Sequence, residues 1–245
     1  MRLSKAWLVA IRDFKVFKHQ KTMLYAVVIF PVLISIIPSV VLHFAINRNP
    51  PLPAVGIPPI LEAFSMFLII GCAFGPLGIA AYTIVGEKIE KSLEPLLASP
   101  LTDGEILLGK TISAVLPTLI AMYTGAVFFI VGTDIVTYPV LNYYYFPNWT
   151  IAVIVLLGMP AATMMSVEFG VIVSSRVNDV RSSTNFGALM FFPFLIIYIA
   201  GQLKIITLDT DSLLIISVIL FGIDIVLFFI SKAMFQREEI LTKWK

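Results

Sequence analysis

The sequence predicts an all-α polytopic membrane protein with six transmembrane helices, and three observations carry that prediction. Hydrophobic residues make up 59% of the 245 positions and charged residues 13%, whereas a soluble domain is near half apolar and a quarter charged. Apolar runs of the ~20 residues needed to cross a bilayer recur along the whole chain, at roughly 22–46, 62–85, 111–132, 150–175, 184–203 and 213–231. Lys and Arg collect in alternate connections, and membrane proteins keep such residues on the cytoplasmic side. With the N-terminus inside, fifteen of the seventeen fall inside, leaving Arg48 and Lys204 outside. Both termini are therefore expected in the cytoplasm, and residues 1–245 are expected to form one membrane domain. The single cysteine, Cys72, excludes an intrachain disulfide, and only two histidines, His19 and His43, argue against a metal site.

Before the first span, Leu3, Trp7, Ala10, Ile11, Phe14 and Phe17 share one helical face, with Lys5, Arg12, Lys15 and His19 on the other. That pattern predicts an amphipathic interfacial helix anchored on membrane lipids. The first twenty residues are charged throughout, and the apolar run after Lys21 is too long for a leader core, so the first span is expected to act as a signal anchor. The outer connections are modest. Residues 47–61 hold five prolines and are expected to be non-helical. Residues 133–149 lack Lys and Arg and are expected to be a loop whose Tyr138, Tyr143, Tyr144, Tyr145 and Trp149 suit a membrane–water boundary. Asn148-Trp149-Thr150 matches a glycosylation sequon but abuts the fourth span.

The connection between the second and third spans, 86–110, is organised. Ile89, Leu93, Leu96 and Leu97 repeat at helical spacing, and Glu87 and Lys91 stand as an i,i+4 pair. Pro95 would kink or end that helix. Ser99 and Pro100 break the chain, and Thr102 with Glu105 forms a capping box that opens the next helix. A short helix with a leucine stripe is thus expected at the cytoplasmic face.

Within this connection, GEILLGKT (Gly104 to Thr111) satisfies the phosphate-binding pattern G-x-x-x-x-G-K-[ST]. A genuine P-loop needs a strand before it and a flexible turn whose N–H groups wrap phosphate. Here Glu105, Ile106, Leu107 and Leu108 favour helix, and a membrane span follows. No nucleotide site is expected, and Lys110 is expected to snorkel at the inner membrane boundary.

A wider window explains the stretch. EKIEKSLEPLLASPLTDGEILLGK, residues 87–110, resembles the cytoplasmic signature of type-2 ATP-binding cassette (ABC) transporter permeases, carried by Glu87, Lys88, Leu93, Glu94, Leu96, Leu97, Ser99, Pro100, Leu101, Glu105, Gly109 and Lys110. Lys91 and Ser92 depart from the Gly-Thr common in that family, and Ile89 stands where a charge is common. SSRVNDVRSSTNFGALMFFPFLI, residues 174–196, looks like the family's connection between the fourth and fifth spans. The resemblance implies a plasma-membrane permease subunit without enzymatic activity of its own. It would act as a dimer with a second copy or a paralogue. Residues 87–110 would form the coupling helix for a separate cytoplasmic ATPase, and that partner would bind ATP and Mg. The chain itself would hold no cofactor and no nucleic acid. The modest outer loops then suggest export of a small amphiphilic, drug-like or lipid-like substrate.

Two acids fall inside spans: Glu168, eight residues before Arg176, and Asp224, eight before Lys232. At 1.5 Å per residue both sit about 12 Å from the inner boundary, where an unpaired carboxylate costs at least ~2.5 kcal/mol. Each is expected to be neutral, hydrogen-bonded to neighbours such as Thr163 or Ser166, or facing a wet cavity. They keep a second reading open, an ion- or proton-coupled secondary transporter, although no internal repeat of the kind such folds carry is visible. An intramembrane hydrolase lacks its parts: His43 has no G-x-S-x-G partner and Asp224 no matching Asp.

Overall fold

A computed structural model of the chain describes residues 3–19, 21–86, 89, 99–177 and 179–234, with backbone alone at 18–19, 21–28 and 30. Among the described residues there are helices and connections but no strands. The helices form seven rods: α1 (Leu3–His19), α2 (Lys21–Asn47), α3 (Ala54–Gly86), α4 (Asp103–Leu141), α5 (Trp149–Arg176), α6 (Val180–Gln202) and α7 (Thr210–Met234). The rods α3 to α7 are long and apolar enough to cross a membrane, and α2 adds a shorter apolar helix, Pro31–Asn47. The segment 87–98, apart from the helical and exposed Ile89, lies outside the described residues. With it go Glu87, Lys88, Leu93, Glu94, Leu96 and Leu97 of the expected coupling helix.

Helix α5 is the hub, packing on α3, α4, α6 and α7, while α4 carries α1 and α2 on its other side. Of the most apolar window of each rod, 78% is buried in α3 but only 17% in α6 and 22% in α7. What α7 turns outward is itself apolar, including Leu214, Ile215, Val218, Ile219 and Phe229. An exposed face of that composition fits hydrocarbon and not water. Helices α2 and α4 meet through small residues, as membrane helices do when apolar burial cannot drive their association. A Cβ on Gly125 would lie 2.7 Å from Ser35 Oγ, and one on Gly132 would lie 2.6 Å from Ser39 Oγ.

Two boundaries differ from the sequence expectation. Helix α4 runs for 39 residues, about 58 Å: it opens at the expected capping box but overshoots the outer end of the expected span 111–132. Residues 133–141 are accordingly its last turns and not loop. Local signals explain the extension: the Thr102 capping box starts the helix, and Asn142, at φ 61, stops it in the left-handed conformation. Residues 47–61 are likewise only partly irregular. A 3-10 turn at Ala54–Gly56 leads into helix at Ile57, because Pro58 and Pro59 occupy the first turn, where no N–H is required. Asn148, the sequon residue, caps α5 by accepting a bond from Ile151 N at 2.8 Å.

Candidate functional site

The sequence-derived site falls at the end of the bundle where α3 ends and α4 begins, and α1 lies across it. Ser99 and Pro100 form the expected bend, Leu101 packs partly buried against the local apolar cluster, and Lys5 Nζ donates to Pro100 O at 3.5 Å. The capping box is present in both directions: Glu105 N donates to Thr102 Oγ1 at 3.3 Å, and Thr102 N donates to Glu105 Oε2 at 3.0 Å. Glu105 is buried, which keeps this helix start inside the packed structure.

Lys110 corrects the snorkelling expectation. Its side chain is fully buried, with Nζ donating to Thr83 O of α3 and lying 3.8 Å from Asp13 Oδ2 of α1. Asp13 is 3% exposed and also accepts from Ser113 Oγ at 3.2 Å, while Arg12 Nε lies 3.8 Å from its other oxygen. A cation pointing into protein instead of water requires such a partner, and α1 supplies it. Gly109 completes the contact, because a Cβ there would sit 2.6 Å from both Ala6 O and Val9 Cβ. The Gly-Lys pair that mimics a phosphate loop therefore works as a helix-docking device: the glycine admits the α1 backbone and the lysine holds Asp13.

This docking divides α1 differently from its hydrophobic pattern. Ala6, Val9, Ala10, Asp13 and Phe17 are buried against the protein, whereas Leu3, Trp7, Leu8 and Ile11 remain exposed. The expected apolar face is thus shared, with one edge on α4 and the other, carrying Leu3 and Trp7, free to enter lipid. Asp13 was legible in the sequence only as the acid of a basic helix. Nothing in its spacing announced a lysine nearly a hundred residues away.

The intramembrane acids lie on packed helices, Glu168 on α5 and Asp224 on α7, each 2% exposed and within electrostatic range of the other. The neighbours named from the sequence do not serve them: Thr163 Oγ1 donates to Met159 O, and Ser166 Oγ donates to Ala73 O. Glu168 Oε2 and both Asp224 oxygens have no hydrogen-bond partner. Asp224 belongs to a stripe that the sequence also contains. Leu213, Ser217, Leu220, Asp224 and Ser231 are the buried residues of α7, spaced in alternating steps of three and four and then seven, the seam of a helix packed along one partner. Among the described residues no group of three or more His, Cys, Asp or Glu could hold a metal ion.

At the opposite end of the bundle, Asp134 of α4 accepts from Tyr145 N and Phe146 N, both at 3.2 Å, and so ties the 142–148 connection down. Tyr145 in turn donates its hydroxyl to Glu62 Oε1 at 2.8 Å. Its own ionisation is pushed well above the ordinary tyrosine range, by burial first and by Glu62 second. Glu62 was not singled out from the sequence, because an acid at the start of a span reads as solvated.

No protein-family model matches the chain, and no curated protein matches it either.

Proposed function

We propose that the chain is the permease subunit of a type-2 ABC transporter: six spans, both termini cytoplasmic, in the plasma membrane, working as a dimer with a second copy or a paralogue. A separate ATPase docks on residues 87–110, and the substrate exported is a small amphiphile. The reading rests on the 87–110 signature and the charge asymmetry. The single observation that carries it further is the clamp around the two ends of that connection. Thr83 near the end of α3, Lys110 near the start of α4 and Asp13 of α1 are held together by buried polar contacts. A push on residues 87–98 therefore reaches three helices as one body, which is what an energy-coupling loop needs.

The isolated chain is expected to bind no ATP, since the first turns of α4 are capped helix and Lys110 is committed to protein partners. Purification with an ATPase from the neighbouring genes, followed by hydrolysis measurements with candidate amphiphiles in proteoliposomes, tests the reading. Saturable ATP binding by this chain alone, lost in Lys110→Ala, would overturn it. A second reading, ion- or proton-coupled transport through Glu168 and Asp224, is favoured by their unpartnered buried oxygens. Transport that persists without any ATPase would select it.

A further inference from the structure

A cavity lies far from the clamp, at the end of the bundle that the charge distribution assigns to the exterior. It holds about 490 Å³, within the range of small-molecule sites. Its walls come from the first turns of α3, the start of α5, the last residues of α6 with the connection after it, and the first turns of α7. Thr150 Oγ1 and Thr210 Oγ1, 3.1 Å apart, bridge two of those walls. The connection after α6 is folded back onto that helix: Ile205 N donates to Ala200 O at 2.9 Å, and a Cβ on Gly201 would lie 2.0 Å from Leu208 Cδ1. That reversal passes through Lys204, whose φ of 56° is left-handed.

Three charged side chains line the cavity, Glu62, Asp209 and Lys204. Both carboxylates are held by their own hydrogen bonds, Glu62 by the Tyr145 hydroxyl at 2.8 Å and Asp209 by Ser212 N at 3.2 Å. The Ser212 bonds hold the Asp209 carboxyl below its ordinary range. The lining thus carries two fixed negative charges against one positive, and fixed groups bind a ligand without the cost of ordering them first. Below the charges the lining turns apolar. Met66 and Leu213 belong both to this cavity and to a small apolar pocket between α3, α6 and α7, walled by Ile69, Phe194 and Leu220. A polar rim of net negative charge over an apolar floor matches one ligand chemistry: a cationic head attached to an apolar body.

We propose that this vestibule binds an amphiphile with an ammonium head group, the head between Glu62 and Asp209 and the apolar part against Met66 and Leu213. The proposal names the substrate class of the export reading and rests on that reading for its role as an exit site. Its test does not depend on that reading.

The native chain in lipid nanodiscs is titrated with radiolabelled dodecyltrimethylammonium, with empty-disc partitioning subtracted and dodecyl sulfate as the anionic counterpart. The expected result is saturable binding of one cation per chain, weakened about tenfold by Glu62→Gln and by Asp209→Asn, or about 1.4 kcal/mol each. Lys204→Gln should leave cation binding intact or tighten it. The amide variants keep acceptors for Tyr145 and Ser212. Ala63→Trp, which fills the cavity without changing charge, should abolish binding as an independent check. No saturable signal from the native chain, tighter binding of dodecyl sulfate, or indifference to the Glu62→Gln/Asp209→Asn double variant would each overturn the proposal. The titration contains neither ATP nor ATPase. A chain that binds the cation but takes no ATPase keeps the site and loses the export reading, and the converse result does the reverse.

Discussion

Removing the charge of Asp13 isolates the contribution of the clamp. In Asp13→Asn the Lys110 ammonium stays fully buried and still donates to Thr83 O. Two unit charges 3.8 Å apart interact by about 4 kcal/mol at an effective dielectric of 20, and stranding one member of a buried pair typically costs about 3–5 kcal/mol. Lys110→Met should also destabilise, although the carboxylate it strands keeps Ser113 Oγ and the nearby Arg12. The double variant Asp13→Asn/Lys110→Met removes both charges and should recover most of the loss, since a buried ion pair replaced by uncharged groups is often near neutral. The assay is the temperature at which half the purified protein still elutes monodisperse from a sizing column. The expected order, from most to least stable, is native and double variant together, then the two single variants. A double variant as damaged as the two single losses combined would show that Asp13 and Lys110 are not coupled, and the docking account of α1 would fail.

Gly109→Val should push α1 off α4 by crowding Ala6 O and Val9, exposing a cysteine placed at position 9 to a water-soluble maleimide that leaves it unlabelled in the Gly109 background. Glu168→Gln and Asp224→Asn should preserve assembly and ATP-driven transport if the pair only joins α5 to α7; normal assembly with abolished transport would instead place the pair in the pathway. Asp179, exposed at the start of α6, is held below its ordinary range chiefly by the Ser182 N–H bond at 2.8 Å, with the Ser182 hydroxyl assisting. Because its folded value is depressed, its capping contribution is present above the unfolded carboxylate range near pH 4 and disappears as pH falls through the folded value. Amide exchange at 181–183, corrected for intrinsic rates, should lose protection on acidification in the native chain, and Asp179→Asn should abolish that pH dependence.

Periodicity and caps were what the sequence made legible. The apolar runs located the rods because every backbone group in hydrocarbon must be satisfied within its own helix, and Thr102 with Glu105 marked the start of α4 because a capping box is a local event. The far end of α4 was misjudged because hydropathy reports the bilayer-crossing part of a helix, and Asp134 and Tyr138 in its last turns look like loop residues to that measure. Lys110 departs from the sequence expectation for a different reason. Snorkelling is the default for a lysine beside a span, and only packing of α1, nearly a hundred residues away, provides an acid to bury it against. Glu168 and Asp224 were visible individually, but their proximity depends on how α5 and α7 face each other. The heptad line Ser217, Asp224, Ser231 was present in the sequence and could have indicated which face of α7 turns inward.

The proposed function requires that residues 87–110 receive force from a separate ATPase. Fully desolvated residues at the centre of an interface can cost 2 kcal/mol or more when lost, so two such losses at Leu96 and Leu97 should weaken docking roughly a thousandfold. The measurement is the ratio of ATPase to this chain after co-purification of Leu96→Asp/Leu97→Asp beside the native chain, with membrane insertion checked in parallel. On the proposed function the double variant should insert fully and come away stripped of its ATPase. Retention of the ATPase at native stoichiometry, with hydrolysis still coupled to transport, would contradict it.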